Sequence, residues 1–383
     1  MTPQERYDLI EETMRAFHPF YRDAIQTVFA KYEIEGRDWF YAYLAAGLEP
    51  EPLSAALLGQ MTPYANPQSQ AEWLQETAAK GLLQAVGENS YRLTEDGRAP
   101  VAAVFNAAHK AIAPLAPLPA ENITRMADLL AQIIAVSEVA RKPSRKTHLL
   151  ISRRTDPGPE AVPAVRIDQY LTDLVRYRED ARLAAWVERD VDGRTWNAFR
   201  AVGREDDVSA AGLAETHARR QFSADDYAVS LSKLVEMGWI AGADGAYQLT
   251  ATGQKIQQEA EEQINQLYFS SWLSLRNGET AELDQLLLEL RNRLRNMAAD
   301  QATATFARAG ALAGEISGAL FQLTRPVMDP LMEELGLAER GLGFALIQAG
   351  YFDPDPISDR QVRRRFPYAA PGLWDKRLRQ LAA

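Results

Sequence analysis

Apolar residues recur at close to helical spacing over much of this chain. In its second half the pattern predicts helices over 167–188, 195–202 and 208–219, and a fourth helix that follows Ser223. Ser223 is expected to cap that helix, because a serine side chain accepts a hydrogen bond from a free backbone N–H and acidic residues follow in the first turn. Gly238 then stands where a helix commonly ends in a left-handed residue.

The pattern next becomes that of a short β-hairpin. An apolar pair at 239–240, a turn containing Gly and Asp at 241–245 and an alternating segment at 247–250 predict two antiparallel strands. One helix is expected from 252 to about 273, with Thr250 as its N-cap, and another from 280 to 297. The last helix carries a stripe of leucines, namely Leu283, Leu286, Leu287, Leu290 and Leu294.

Motifs of this half also occur earlier, at a nearly constant distance along the chain. The pattern G-R-x-W at 36–39 recurs at 193–196, which is 157 residues later. The pattern Y-x-L-T-x-x-G at 91–97 recurs at 247–253, which is 156 residues later. A fixed long period indicates a duplicated structural unit. We therefore predict that the chain contains two copies of one domain.

A shorter third copy is predicted at the C-terminus. P-x-P-x-S at 50–54 recurs at 354–358, and P-Y-A-x-P at 63–67 recurs at 367–371. The segment that would correspond to 80–91 is missing, so either the third unit is a remnant or the chain is a fragment. The predicted domains are a first copy at 1–140, a basic linker at 141–165, a second copy at 166–300, and a helical connector with the truncated third copy at 301–383.

Three helices, a hairpin and a further helix follow one another as in a winged helix-turn-helix domain. The run L-x-x-x-G-W-I at 234–240, with the hairpin motif at 247–253, resembles the wing of multiple-antibiotic-resistance-type (MarR-type) regulators. The stretch 173–184 followed by this wing is also similar to the SalK-like winged-helix proteins of actinobacteria. The resemblance covers roughly 20–140 and 165–300.

This resemblance implies a particular assembly. MarR-type chains pair through their terminal helices, so a chain holding both copies would form an intramolecular pseudo-dimer, as a monomer or within a homodimer. The expected fold class is mainly α, with tandem winged helix-turn-helix domains and a partial third helix-turn-helix at the C-terminus. The leucine stripe would pair with a stripe of the first copy; alternatively, each stripe closes the core of its own domain. The stripe of the first copy is Met126, Leu129, Leu130, Ile133 and Ile134.

Composition narrows the protein class. The chain has 383 residues, 46% of them hydrophobic and 25% charged, as in ordinary globular proteins. The absence of cysteine excludes disulfides, thiolate chemistry and cysteine-bound metals. No apolar run approaches the length of a membrane span, and the polar N-terminus is unlike a secretory signal, so we expect a cytoplasmic protein without membrane contact.

The net charge of −10 opposes binding to double-stranded DNA, and only local basic patches can reverse this. The resemblance implies DNA contact through the helix before each wing, where Gln68, Gln70 and Lys233 are candidates, with Arg92 beside the first wing. These helices are poor in Lys and Arg, and the wing tips contain no Arg. Positive charge is concentrated in the linker and, in the third copy, at Arg360, Arg363, Arg364, Arg365, Lys376, Arg377 and Arg379.

Each basic cluster has two interpretations. In the third copy, 363–365 would contact phosphate and 376–379 would form the recognition helix, or the arginines would pair with the acidic body of the protein. The linker residues would contact DNA or be simply solvated.

Tryptophans are the candidates for binding a small aromatic ligand. Trp39, Trp186, Trp196 and Trp272 would line a pocket between the paired domains, where ligand sites are common. Alternatively they are core residues, since Trp39 and Trp196 occupy the same place in the repeat. The four histidines are scattered, and no metal, cofactor or catalytic motif is present, so we expect no enzyme.

The sequence therefore favours a winged-helix DNA-binding transcriptional regulator that a ligand can control. The alternative is a winged-helix scaffold without DNA binding that binds a small molecule or a protein partner.

Overall fold

The computed structural model describes residues 1–205, 208–243 and 245–334, and this part is mainly helical. The first half contains α1 (Pro3–Tyr32), α2 (Gly36–Leu48), β1 (Leu53–Ser54), α3 (Ala55–Met61), α4 (Pro67–Ala79), β2 (Leu83–Gly87), β3 (Ser90–Leu93), α5 (Glu95–Ile112) and α6 (Ala120–Val139). After α7 (Thr147–Arg153), the second half contains α8 (Pro163–Trp186), α9 (Gly193–Val202), α10 (Ala210–Thr216), α11 (Ala224–Glu236), β4 (Ile240–Ala241), β5 (Gln248–Leu249), α12 (Ala251–Phe269) and α13 (Glu279–Glu334).

The helices α8 to α13 follow one another in the same order as α1 to α6. In each half a hairpin lies between the fourth and fifth helices of the series. The helices α2 and α9 begin 157 residues apart, as do α4 and α11, while α5 and α12 begin 156 residues apart. The predicted helices of the second half are thus present, although α13 extends well beyond the predicted end at 297.

Local capping signals position these helices. Ser223 accepts a hydrogen bond from the backbone N–H of Asp226, whose carboxylate in turn accepts from the N–H of Ser223, so the predicted cap of α11 is confirmed. Thr94 and Thr250 cap α5 and α12 by accepting a hydrogen bond from the N–H of the third residue of each helix, without a reciprocal bond. Gly238 follows α11 with a φ of 69°, which only glycine adopts without strain.

The two hairpins differ in size. In the first half, β3 lies between β1 and β2 in an antiparallel three-stranded sheet, with Leu53 opposite Tyr91 and Leu83 opposite Leu93. In the second half, the part of the chain that the structure describes has a two-stranded sheet, β4 with β5.

Buried apolar residues form three clusters. One lies within residues 36–105, which we call lobe 1, and is joined by Ile151 of α7. A second lies within residues 193–260, which we call lobe 2, and is joined by Trp186. The third, the central core, combines residues of α1, α6, α8 and α12 with the N-terminal part of α13.

The two predicted apolar stripes both belong to the central core. Every residue of the two stripes is at most 9% exposed, and all of them fall in one cluster. Polar contacts hold the same helices together: Arg125 of α6 donates to Glu279 and Glu282 of α13 at 2.9 and 2.8 Å, and Arg6 of α1 donates twice to Asp284 at 2.8 Å. The stripes therefore share a core, and the alternative that each closes only its own domain is wrong.

The basic segment 141–165 is more than a solvated linker. Lys146 donates to the main-chain oxygens of Ser137 and Ala140 at 3.1 and 2.8 Å, and so satisfies carbonyls at the end of α6. Arg153 donates to Glu138 at 3.0 Å and to the buried carboxylate of Asp173 at 2.9 Å. For these two cations the solvated interpretation is wrong, because each is used to fix α7 in place.

The chain divides into two units, 1–299 and 300–383. The described part of the second unit, 300–334, is the C-terminal part of α13. None of the helices that the structure describes is long and apolar enough to cross a membrane.

Candidate functional site

The helices α4 and α11 are the predicted recognition helices, and their surfaces are poor in cations. Gln68 is exposed on the first turn of α4. Gln70 is only 2% exposed, and its amide donates to the main-chain oxygen and the hydroxyl of Thr62 at 2.9 and 2.7 Å. The prediction that Gln70 faces DNA is therefore wrong, because this side chain holds the turn between α3 and α4.

In lobe 2 the only lysine of α11 is also engaged. Lys233 donates to the main-chain oxygen of Asp190 at 3.0 Å, which uses one of the three donors of its ammonium and neutralises none of its charge. The exposed face of α11 instead presents acidic and apolar side chains, with Asp225 and Glu236 beside Val229, which is 63% exposed. Arg92 is exposed on β3, as the DNA-binding prediction requires.

The predicted contacts of the third copy lie outside the described residues. These are Arg360, Arg363, Arg364, Arg365, Lys376, Arg377 and Arg379.

The turns that precede α4 and α11 contact each other directly. Asn66, the N-cap of α4, donates from its backbone N–H to the Arg220 oxygen at 2.8 Å and from its side-chain amide to the Gln221 oxygen at 3.0 Å. Nearby, the Trp186 indole N–H donates to the Tyr64 hydroxyl at 2.8 Å. We call these interactions the turn contact.

Close packing of the two lobes adds to the turn contact. A Cβ added at Gly193 would stand 2.2 Å from the main-chain oxygen of Pro63, so only a residue without a side chain fits there. The guanidinium of Arg220 lies 5.6 Å from the centroid of the Tyr64 ring. Because Gln221 precedes the N-cap Ser223 by two residues, the first turns of α4 and α11 lie within roughly 15 Å of each other.

Lobe 2 contains a cavity of about 400 Å³ between α8, α9 and α12, which we call the arginine cavity. Its lining combines two stacked tryptophans with cations and amides. The lining residues are Gln4, Arg182, Trp186, Trp196, Arg200, Gly203, Arg204, Gln257, Ala260, Glu261, Ile264 and Asn265.

One carboxylate is shared by several cations around this cavity. Glu261 has oxygens 3.8 Å from Arg200 and from Arg204, and 3.9 Å from Arg178, all beyond hydrogen-bonding distance. Burial lowers the pKa of Arg200, and the neighbouring charges of Arg204 and Arg182 lower it further. The site therefore carries more positive charge than its own carboxylate balances.

The four predicted ligand-binding tryptophans separate into two groups. Trp186 and Trp196 line the arginine cavity and stack with centroids 5.8 Å apart. Trp39 packs on Tyr43 in lobe 1, and Trp272 lies in the central core. For Trp39 and Trp272 the core interpretation applies, and neither lines the arginine cavity.

Lobe 1 has a cavity at the corresponding place, between α2, α5 and the segment after α7. It measures about 550 Å³ and is lined by Tyr43, Phe105 and His109, among others. Its two arginines have partners: Arg98 donates to the carboxylate of Glu49, at 2.7 Å for one of the two bonds, and Arg154 donates to the Glu49 main-chain oxygen at 3.2 Å.

The sequence did not single out Arg178, Arg200, Arg204 or Glu261. One signal was available: Arg200 lies in the last turn of α9 and Arg204 follows its C-cap Gly203, so the two cations are close together in the sequence. Within 1–205, 208–243 and 245–334, no group of three His, Asp or Glu side chains is placed to hold a metal ion.

A comparison with family models identifies the protein class. A model described as a helix-turn-helix family matches residues 101–303, which is more than half of the 383-residue chain. The matched segment runs from α5 through lobe 2 into α13. No curated protein and no solved structure matches the chain. The chain belongs to this helix-turn-helix family.

Proposed function

We propose that the chain is a tandem duplication of a winged helix-turn-helix unit and acts as a DNA-binding transcriptional regulator in the cytoplasm. The observation that carries this proposal is the repeated order of α1–α6 and α8–α13, with a hairpin after the fourth helix of each half. The shared central core supports an intramolecular pseudo-dimer, which is the assembly implied by the resemblance to MarR-type and SalK-like proteins. No catalytic activity forms part of this proposal.

The turn contact has a direct consequence for DNA binding. Two recognition helices that enter successive major grooves must be about 34 Å apart, which is one turn of B-DNA. The first turns of α4 and α11 are much closer than that, because Asn66 is bonded to the turn before α11. We propose that this structure represents a closed conformation, and that the lobes separate when both helices bind DNA.

Phosphate contacts in the proposed complex come mainly from outside the lobes. In the described part of the chain, α4 with its C-cap and α11 carry two cations: Lys80 is paired with Asp38 at 2.7 Å, and Lys233 donates to the Asp190 oxygen at 3.0 Å. The basic residues 360–379 of the third copy are therefore the proposed phosphate-binding group, with Arg92 as a contribution from the first wing.

A fluorescent DNA duplex titrated across a salt series tests the proposal. The full chain is expected to bind with an affinity that falls steeply with salt, because bound cations release counterions from DNA. The double variant Arg363→Gln with Arg364→Gln should weaken binding and reduce the salt slope by about 2. The control is Arg141→Gln with Lys142→Gln, which removes two exposed charges from the linker and should leave binding unchanged. Absence of binding even at low salt would overturn the regulator proposal.

A second candidate function is a winged-helix scaffold without DNA binding that binds a small molecule or a protein partner. The acidic and apolar face of α11 favours this candidate, since it would repel phosphate. In that case the arginine cavity would be the principal functional site, and the duplex titration would show no binding.

A further inference from the structure

We propose that the arginine cavity of lobe 2 binds a small organic oxyanion, a carboxylate or a phosphate ester, and that Trp186 couples its occupancy to the turn contact. The binding half of this inference stands on the cavity alone. The coupling half deepens the proposed function, because it assigns the cavity a part in separating or closing the two lobes.

The charge around the cavity calls for an additional acceptor. The Arg200 side chain is 23% exposed, and within the described ranges the guanidinium groups of Arg200 and Arg204 each face Glu261 at 3.8 Å, beyond hydrogen-bonding distance. Their shared carboxylate, Glu261, is also the nearest acidic group to Arg178. A partly desolvated guanidinium without a close acceptor, as at Arg200, is costly, and its planar donor pair matches the oxygens of a carboxylate or a phosphate. Arg204, whose side chain is 62% exposed, adds a second cation at the solvent side.

The remaining walls fit an apolar body attached to that oxyanion. Trp196, Ala260 and Ile264 supply apolar surface, while the amides of Gln257 and Asn265 lie at the polar side of the lining. The Gln257 amide is already bonded to the Phe199 oxygen at 2.7 Å, and Asn265 accepts from Arg178 at 3.1 Å. A volume of about 400 Å³ is that of a small-molecule site.

Trp186 connects the cavity with the other lobe. Its ring stacks on Trp196 within the cavity wall, and its N–H donates to the hydroxyl of Tyr64 in the turn before α4. Trp186 completes the cavity wall while its N–H is bonded to the Tyr64 hydroxyl. An occupant therefore binds more tightly when the two lobes are in contact than when they are apart. By linkage, occupancy then stabilises the turn contact, and the turn contact strengthens binding of the occupant.

Calorimetric titration of the full chain tests the binding site. Benzoate and phenyl phosphate share a ring and differ in the oxyanion, while benzyl alcohol carries the same ring without charge. We expect at least one anion to bind and the alcohol not to bind; the stronger of the two anions identifies the headgroup. Arg200→Gln should weaken anion binding by at least tenfold, because it removes charge-assisted hydrogen bonds. Arg204→Gln should also weaken anion binding. The Arg204 side chain is 62% exposed, so this second variant leaves the buried cavity wall intact.

The control variant is Arg98→Gln in the lobe 1 cavity, where the arginine already has Glu49 as its partner. It should leave the affinity unchanged. The inference is overturned if neither anion binds, or if Arg98→Gln and Arg200→Gln weaken binding equally while both variants remain folded by circular dichroism.

Hydrogen exchange tests the coupling without DNA. The Asn66 amide, which donates to Arg220, should exchange on the order of tenfold more slowly in the anion-saturated protein. Tyr64→Phe should weaken anion binding although Tyr64 does not line the cavity. Unchanged exchange at Asn66 would refute the coupling. Anion binding with slowed exchange in a protein that fails to bind DNA would refute the regulator proposal and leave this inference intact.

Discussion

The two lobes place a cavity at the same position and line it with different chemistry. Arg200 and Glu261 of the arginine cavity stand where lobe 1 has Tyr43 and Phe105, at offsets of 157 and 156 residues. In lobe 1, Arg98 is paired with the Glu49 carboxylate and Arg154 donates to the Glu49 main-chain oxygen, whereas in lobe 2 one carboxylate serves several cations. The helices that frame both cavities are held by buried apolar residues, so the residues that line the cavity can differ between the two lobes.

The lobes also differ at the surface where they meet. Gly36 and Gly193 hold the same position in the repeat, at the start of α2 and α9. A Cβ at Gly36 would be in ordinary contact with the Phe29 ring at 3.6 Å, but one at Gly193 would collide with Pro63. The two halves are thus alike in the order of their elements and different in their contacts, and variants at matched positions can separate the two properties.

The largest loss of stability is expected for a substitution in the central core, to which both halves contribute residues. Leu287 is fully buried there, and Leu287→Ala should lower the free energy of unfolding by about 2–5 kcal/mol, since it removes methyl groups and leaves a cavity. Both lobes should lose stability together in one transition, measured by chemical denaturation with circular dichroism. Leu312→Ala, at a 57% exposed position of the same helix, is the control and should change little. Equal effects of the two variants would contradict the shared core.

Substitution of the matched glycines should distinguish the lobe surfaces. Gly193→Ala forces a collision with the Pro63 carbonyl and should cost about 1–3 kcal/mol, or separate the turns. Thermal unfolding measures the first outcome, and faster exchange of the Asn66 amide measures the second. Gly36→Ala should be tolerated, because its neighbour is a side chain at contact distance. If the two variants behave alike, the asymmetry of the lobe contact is refuted.

Local features of the fold could be predicted from the sequence, because their causes are local. The caps at Ser223 and Thr250 depend on residues within one turn, and the apolar stripes of α6 and α13 follow from helical periodicity. The motifs repeated at offsets of 157 and 156 residues predicted that the helices and the hairpin follow the same order in both halves.

The candidate site could not be predicted in the same way, since its residues meet only through packing. Glu261 is on α12 and Arg200 on α9, more than sixty residues earlier, and nothing near either residue signals the other. The turn contact joins Asn66 to Arg220 across the two halves. Gln70 was misassigned because helical position alone does not show that its amide is bonded to Thr62.

A smaller, pH-dependent difference in stability is expected between variants of two matched carboxylates, Glu11 of α1 and Asp168 of α8. Burial raises the pKa of Asp168 to about 7, and one of its oxygens is closed to solvent without a partner in the described part of the chain. The unfolded pKa is about 3.9, so the folded protein binds the extra proton and stability falls as pH rises from about 4 to 7. Asp168→Asn should therefore gain about 1–3 kcal/mol over the parent protein at pH 8 and little at pH 4.

Thermal unfolding at the two pH values measures this difference. The control is Glu11→Gln, at the corresponding place in α1, where the carboxylate accepts from Arg15 at 2.6 Å. That exposed pair should contribute no more than about 0.5 kcal/mol at either pH. A stability gain of Asp168→Asn that is the same at pH 4 and pH 8 would contradict a buried ionised carboxylate.

The smallest loss of stability is expected at the N-caps of α5 and α12, where the two halves are most alike. Thr94 accepts from the Gly97 N–H at 2.9 Å and donates to the Gly81 oxygen at 2.6 Å, while Thr250 accepts from Gly253 at 3.0 Å and donates to Gly238 at 2.6 Å. Thr94→Ala and Thr250→Ala should therefore each cost about 1 kcal/mol, the ordinary value of a lost N-cap. Chemical denaturation should give the same loss for both variants, whereas Ser in place of either Thr should restore most of it. A clear inequality between the two losses would mean that the halves differ even in the elements that their sequences share, and the asymmetry would then reach beyond the cavity and the turn contact into the frame of the fold.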